Sequence, residues 1–215
     1  YSLISSSNNF VNLNGANIAI VLLITLWATR LGSFLFMRIH KDGEDKRFRT
    51  IKPSATQFFM TWTLQGLWVS LCSMCALTAI SSDSGVVMNA LFYLGLGLFL
   101  YGFITEVIAD KQKTAFRSIP ENRDKFITSG LWAKSRHPNF FGEIVLWSGI
   151  AVMSFSSLNG LQYLTLISPL FTYLLLVYVS GVRMLEDRAD KKWGHDEDYI
   201  KYKSKTPVLL INYMK

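Results

Sequence analysis

Apolar residues gather into five long runs, approximately Ile18 to Ile39, Gln57 to Ile80, Val86 to Ala109, Asn139 to Ser157 and Leu161 to Met184. Each is near the roughly 20 residues that cross a hydrocarbon core of about 30 Å. Backbone groups facing lipid find no water and bond within their own segment, so every run is expected to be a helix. The fold class is therefore all-α: a polytopic integral-membrane helical bundle with five spans. No low-complexity linker divides the chain, and residues 1–215 read as a single transmembrane domain. The opening stretch from Tyr1 to Gly15 is rich in Ser and Asn and lacks a signal peptide's basic region and cleavage site. It reads as an inter-helix loop, so further helices are expected upstream.

Composition agrees with this pattern. Half of the 215 residues are hydrophobic and 17% are charged, against about a quarter charged in a soluble domain. Two cysteines exclude a small disulfide scaffold. Of the 22 Lys and Arg, six lie from Arg38 to Lys52, seven from Lys111 to Arg136, eight from Arg183 to Lys215, and Arg30 lies inside a span. Connections 81–85 and 158–160 carry none. Charged loops and the C-terminus are therefore expected on the cytoplasmic side, in contact with anionic membrane lipids. That membrane is the endoplasmic reticulum in a eukaryote or the inner membrane in a bacterium. Nucleic acid is not an expected partner, because no binding motif accompanies the charge.

Ionisable groups inside a span are costly and mark candidate function. Arg30 lies about 12 Å inside the Arg38 end of its helix, where it either snorkels or meets a buried partner. Glu106, Asp110, Lys113 and Arg117 recur at offsets of four, three and four, on one helical face. Such a stripe is either an intrahelical salt-bridge ladder or a ligand-facing wall, its acids taking hydroxyl or amide donors and its bases taking phosphates. Downstream, Ser129-Gly130-Leu131-Trp132 leads into Ser135-Arg136-His137-Pro138-Asn139-Phe140-Phe141-Gly142-Glu143. Pro138 suits the first turn of a helix, which puts Asn139 and Glu143 on one face. A helix start beside Arg136 suits a phosphate. His137 is open to three roles: general acid, phosphate contact or loop residue. After the fifth run, Arg183/Asp187 and Glu186/Asp190 are i,i+4 pairs; most of these charges read as a surface-lying amphipathic helix, and Glu186 is set apart by lying near the membrane surface on the same side as the two motifs above.

Gly130 to Glu143, the Glu106/Asp110/Arg117 stripe, the segment Glu186 to Gly194, Tyr199 and Thr206-Pro207 resemble the steroid 5α-reductase-like membrane proteins. The likeness to their steroid-reductase-like branch is strongest over about residues 100–211, and the basic loop Lys41 to Phe48 shares it. The Arg-His-Pro element also occurs in the related isoprenylcysteine and phospholipid methyltransferases. The resemblance implies an NADPH-dependent reductase of the carbon–carbon double bond in an α,β-unsaturated carbonyl of a steroid or other isoprenoid lipid. By position it assigns Asp110, Arg117, Asn139 and Glu143 to the cofactor, with Lys113, Arg136 and His137 beside them. Glu186, Arg188 and Asp190 match the C-terminal cofactor segment less closely, since steroid reductases place His and Tyr in it. Glu106 stands where those relatives carry Asn. Their carbonyl-polarising Gln-Glu pair and Tyr have no match; Gln65 and Trp27 are the weak catalytic candidates that stand in their place.

Chemistry gives a separate criterion. NADPH carries a pyrophosphate and a 2′-phosphate and calls for convergent cations, for which Lys113, Arg117, Arg136, Arg183 and Arg188 are available. S-adenosylmethionine carries a sulfonium and no phosphate. A lipid or isoprenylcysteine-type methyltransferase is the alternative, and a non-enzymatic lipid-binding protein the second. Gly95 and Gly97 read as helix-packing positions rather than a dinucleotide fingerprint. Cys72 and Cys75 read as small packing residues, and no metal site is expected.

Overall fold

The computed structural model describes residues 14–44, 48–49, 51–82, 85–179 and 181–212, and the descriptions below concern these residues. Residues 1–13 of the leading Ser/Asn-rich stretch, and 45–47 of the basic loop, lie outside them. Seven α-helices follow in order: α1 (Gly15–Asp42), α2 (Ala55–Ile80), α3 (Ala90–Ser118), α4 (Pro138–Ser154), α5 (Ile167–Leu174), α6 (Val182–Trp193) and α7 (Glu197–Lys205), with short 3-10 turns between some of them. Five helical stretches, Gly15–Lys41, Ala55–Ile80, Ala90–Ser118, Pro138–Ser157 and Gly160–Trp193, are long and apolar enough to cross a membrane. The protein is an all-α polytopic membrane protein.

Two runs differ in detail from the sequence pattern. The third helix starts at Ala90, not Val86, because Val86 is held elsewhere: its N–H donates to Asn17 Oδ1 at 2.8 Å and its carbonyl accepts Asn14 Nδ2 at 2.9 Å. The fifth run is helical but not one α-helix. It opens as a 3-10 segment (Gly160–Leu166), continues as α5, widens into a π-turn (Leu175–Val179), and resumes as α6. Pro169 removes an amide from α5's first turn. At Gly181 a Cβ would stand 2.1 Å from the Leu176 carbonyl, so the tight exit from the π-turn admits only glycine.

The helices form two compact units, residues 1–89 with 154–168, and residues 90–153 with 169–215. In the first unit, Asn14 and Ser54 cap α1 and α2, accepting from Asn17 N at 2.8 Å and Gln57 N at 3.3 Å. Asn17, only 1% exposed, ties the start of α1 to the end of α2 and to Val86. The Arg30 guanidinium lies 5.3 Å from the Phe34 ring centroid, a cation–π contact that eases its position in the span. Cys72 and Cys75 are buried free thiols, and Ser168 Oγ donates to the Cys72 carbonyl. Leu22, Phe36, Phe59 and Leu64 are exposed, as lipid-facing residues are.

In the second unit, α3 and α4 run antiparallel along a glycine seam. A Cβ on Gly95 would stand 2.5 Å from the Gly149 carbonyl, and one on Gly102 would stand 2.4 Å from that of Gly142. The reverse contacts, from Gly149 and Gly142, are both 2.6 Å. Between apolar helices in lipid there is little hydrophobic drive, so close backbone packing of this kind carries the association. Gly97, by contrast, has nothing within 4 Å of its Cβ position; Gly95 packs and Gly97 does not. The seam ends at the polar residues: the Gly142 Cβ position lies 2.8 Å from Glu106 N, so Glu106 on α3 and Glu143 on α4 flank one close crossing.

Candidate functional site

The site is built from the turn between α3 and α4 outward. Gly130 takes φ +62°, and its Cβ position would overlap Gln112, whose Oε1 accepts the Leu131 N–H at 2.9 Å. That bend lays the 3-10 turn Gly130–Ala133 on the end of α3. Trp132, 3% exposed, donates its indole N–H to the Ala109 carbonyl at 3.0 Å and packs with Ile127, Phe116 and Leu131. Lys113 Nζ lies 4.5 Å from the Trp132 ring centroid, and Tyr202 OH donates to the Trp132 carbonyl at 2.6 Å. Trp132→Ala is expected to cost about 3–5 kcal/mol, the usual range for emptying a buried aromatic site. A chemical or thermal unfolding series on purified protein would read it, and Trp132→Phe should cost less because the ring volume is largely kept.

From this anchor the chain passes through Ser135, Arg136 and His137 into α4. Pro138 occupies the first position of α4 and the His137 carbonyl accepts the Phe141 amide at 3.1 Å, a helix start of the kind the sequence indicates. Glu186, from α6, closes on this point with both oxygens. Its Oε1 lies 2.8 Å from His137 Nε2 and its Oε2 lies 2.6 Å from Arg136 Nη1. Side-chain exposures of 7%, 11% and 18% for His137, Arg136 and Glu186 make this a partly buried cluster. His137 also stacks on Phe140, with centroids 5.8 Å apart. One turn along α6, Asp190 accepts Lys203 Nζ at 2.5 and 2.7 Å and the Tyr199 hydroxyl at 3.0 Å. Lys203 is also 3.9 Å from Glu186 Oε2, which links the two carboxylates through one ammonium.

The helix carrying these last groups is held by aromatic packing. Asp196 caps α7, accepting from Asp198 N and Tyr199 N. Phe126 lies 5.3 Å from Tyr199, 5.7 Å from Tyr202 and 5.8 Å from Trp193, centroid to centroid. Trp193 Nε1 donates to the Asp124 carbonyl at 2.7 Å. Burial, and next the hydrogen bond to the Asp190 carboxylate, pushes the Tyr199 phenol above its ordinary range. Burial does the same to Tyr202. Both phenols therefore remain donors at neutral pH. An open cleft of about 520 Å³ lies over this region, bordered by Arg136, Asp190, Gly194, Tyr199, Lys203 and Ser204.

The other candidate residues divide by burial. Along the α3 stripe exposure rises from Glu106 (3%) and Asp110 (7%), through half-buried Lys113, to exposed Arg117. Glu143 on α4 is 7% exposed. Asn139 is half-buried, and its Oδ1, like Arg136 Nε, is buried with no hydrogen-bond partner among the described residues. Arg183 and Arg188 are exposed on α6. The structure thus brings together Arg136, His137, Glu186 and Asp190, and leaves Arg117 and Arg188 on the surface. Trp27 is buried on α1 and Gln65 is exposed on α2, both in the first unit. Lys203 and Ser135 were not singled out by the sequence pattern. The one available signal for Lys203 is its place one turn after Tyr199 on a helix capped by Asp196.

Among known proteins, a probable O-methyltransferase, ustE, of Ustilaginoidea virens is 32% identical over 116 residues, covering 47% of this chain and 41% of that protein. The match therefore spans less than half of the relative's length. No solved structure matches the chain. The family model described as a protein of unknown function, DUF1295, matches residues 5–206, which is nearly the whole sequence and takes in every helix above, and the chain belongs to that family.

Proposed function

We propose that the protein is a membrane-embedded reductase that uses NADPH to reduce the carbon–carbon double bond of an α,β-unsaturated carbonyl in a steroid or other isoprenoid lipid. One observation carries the reading: Arg136, at the start of a membrane helix, opens with Lys203 and Asp190 on a cleft, while Asn139 Oδ1 and Arg136 Nε stay buried and unbonded nearby in the chain. An orphan acceptor and an orphan donor suit a ligand with both kinds of group, such as a carboxamide. Arg136 and Lys203 would take phosphate oxygens, Asp190 a ribose hydroxyl, and Asn139 with Glu143 the carboxamide. NADPH, when bound, supplies the hydride. The chain's own part is to hold the nucleotide at the helix start and to fix Arg136 through Glu186 before any ligand arrives.

Methyl transfer from S-adenosylmethionine is the second reading. It is supported by the likeness to an O-methyltransferase and by the buried carboxylates Glu106, Asp110 and Glu143, which suit a cationic ligand better than an anionic one. Thermal unfolding with each nucleotide separates the two. A site ligand at 100 times its dissociation constant adds about 2.7 kcal/mol. NADPH is expected to stabilise the protein and S-adenosylmethionine to leave it unchanged; the opposite result selects methyl transfer, and no stabilisation by either selects a lipid-binding role. Asn139→Ala is expected to weaken the stabilising nucleotide about tenfold, the loss of one well-buried hydrogen bond, with little change in the stability of the free protein. Unchanged affinity would remove Asn139 from the site.

A further inference from the structure

The segment after α7 returns to the start of α4. Pro207 O accepts the Arg136 N–H at 2.9 Å and Val208 O accepts the His137 N–H at 3.0 Å. Asn212 N donates to Lys134 O at 3.1 Å, and between these Ser135 Oγ donates to Leu209 O at 2.8 Å. The His137 amide is also 3.3 Å from Ser135 Oγ. Ser135 is wholly buried, and Thr206, where the segment leaves α7, is 5% exposed. The two residues that meet Glu186 thus have both backbone N–H groups bonded to a stretch some 70 positions away in sequence, and a buried hydroxyl pins the bend just before them.

This arrangement has a physical purpose that packing alone does not supply. Arg136 and His137 precede the first regular turn of α4, where intrahelical hydrogen bonds do not yet fix the backbone. Arg136 also has a long side chain whose ordering is costly in rotamer entropy. Glu186 orients the side chains only if the backbone beneath them is already placed. We infer that Pro207–Asn212 is a strap that presets the Arg136–His137 backbone, and that Ser135 is a positioning residue which acts on the site through those two neighbours without touching a ligand. Its consequence for ligand binding rests on the nucleotide reading above; its consequence for the backbone does not.

Hydrogen exchange on the full chain in lipid nanodiscs tests the backbone part without any ligand. Ser135→Ala should speed exchange at the Arg136 and His137 amides at least tenfold and leave the middle of α3 unchanged. Unchanged exchange at 136–137, or an equal acceleration throughout α3 and α4, overturns the strap. The binding part is tested by titrating NADPH and S-adenosylmethionine. Ser135→Ala should weaken the nucleotide that binds wild-type protein several-fold, and should have a clearly smaller effect in an Arg136→Ala background, where only the His137 route is left. An equal loss in both backgrounds means that Ser135 acts by general stability and overturns the positioning role. A wild-type protein that binds neither nucleotide overturns the nucleotide reading, whereas the exchange result then decides the strap by itself.

Discussion

Glu186→Ala is expected to destabilise the protein by about 2–4 kcal/mol, although the residue lies in a short surface-going helix with a strongly polar sequence. Removing one partner of a buried ion pair typically costs about 3–5 kcal/mol because the other charge is stranded. Here the range is lowered because the Glu186 side chain keeps 18% of its exposure. Arg136, with a side chain 11% exposed, would lose the carboxylate 2.6 Å from its Nη1, and His137 the oxygen 2.8 Å from its Nε2. Unfolding in bicelles, compared with Asp187→Ala on the exposed face next door, measures the effect; equal stability of the two variants would deny Glu186 its clamping role. Adding Arg136→Met to Glu186→Ala should recover part of the loss, since the stranded charge is then gone.

Gly142→Val is expected to be among the most damaging single changes in the second unit, costing at least about 3 kcal/mol, the upper end of overpacking. The Cβ position is 2.6 Å from the Gly102 carbonyl and 2.8 Å from Glu106 N, and backbone on the facing helix cannot rotate out of the way as a side chain can. Gly97→Val is the control: it lies on the same helix as Gly102, nothing is within 4 Å of its Cβ position, and its stability should hold within about 1 kcal/mol. Gly102→Ala and Gly142→Ala push on the same gap, so their double variant should lose clearly less than the two single losses combined. Strict additivity, or a Gly97→Val variant as unstable as Gly142→Val, would show that the seam is not what holds α3 to α4.

Much of the architecture can be read from residue order because membrane solvation makes long apolar runs helical whatever they pack against. The start of α4 was legible for a local reason, Pro138 at a position that has no amide to lose. Hydropathy does not report which amide bonds to which carbonyl, so the π-turn and the break at Gly181 lay beyond it, with Pro169 the one visible hint. Nor does it report facing, which is why Gly95 and Gly97 looked alike. In the candidate site, Arg136, His137 and Glu186 were each visible as polar residues near a membrane surface. Their meeting, across 49 positions, was not. Lys203 and Ser135 escaped notice because a lysine on an amphipathic helix and a serine in a loop carry no periodic signature; only the fold turns one into a bridge between two carboxylates and the other into a pin. Asn17 was hidden similarly, in a polar stretch that resembles an ordinary connection.

The glycine seam also limits how an oily molecule can travel. Where two helix backbones touch at both ends of a seven-residue interval, Gly95 to Gly102 against Gly149 to Gly142, no acyl chain or sterol ring slips between them. That side of α4 is a shut wall, and any greasy visitor bound for Asn139 must round the opposite flank of the helix or descend from its polar tip. Bulky probes that photolabel this protein should therefore mark residues away from the α3–α4 line.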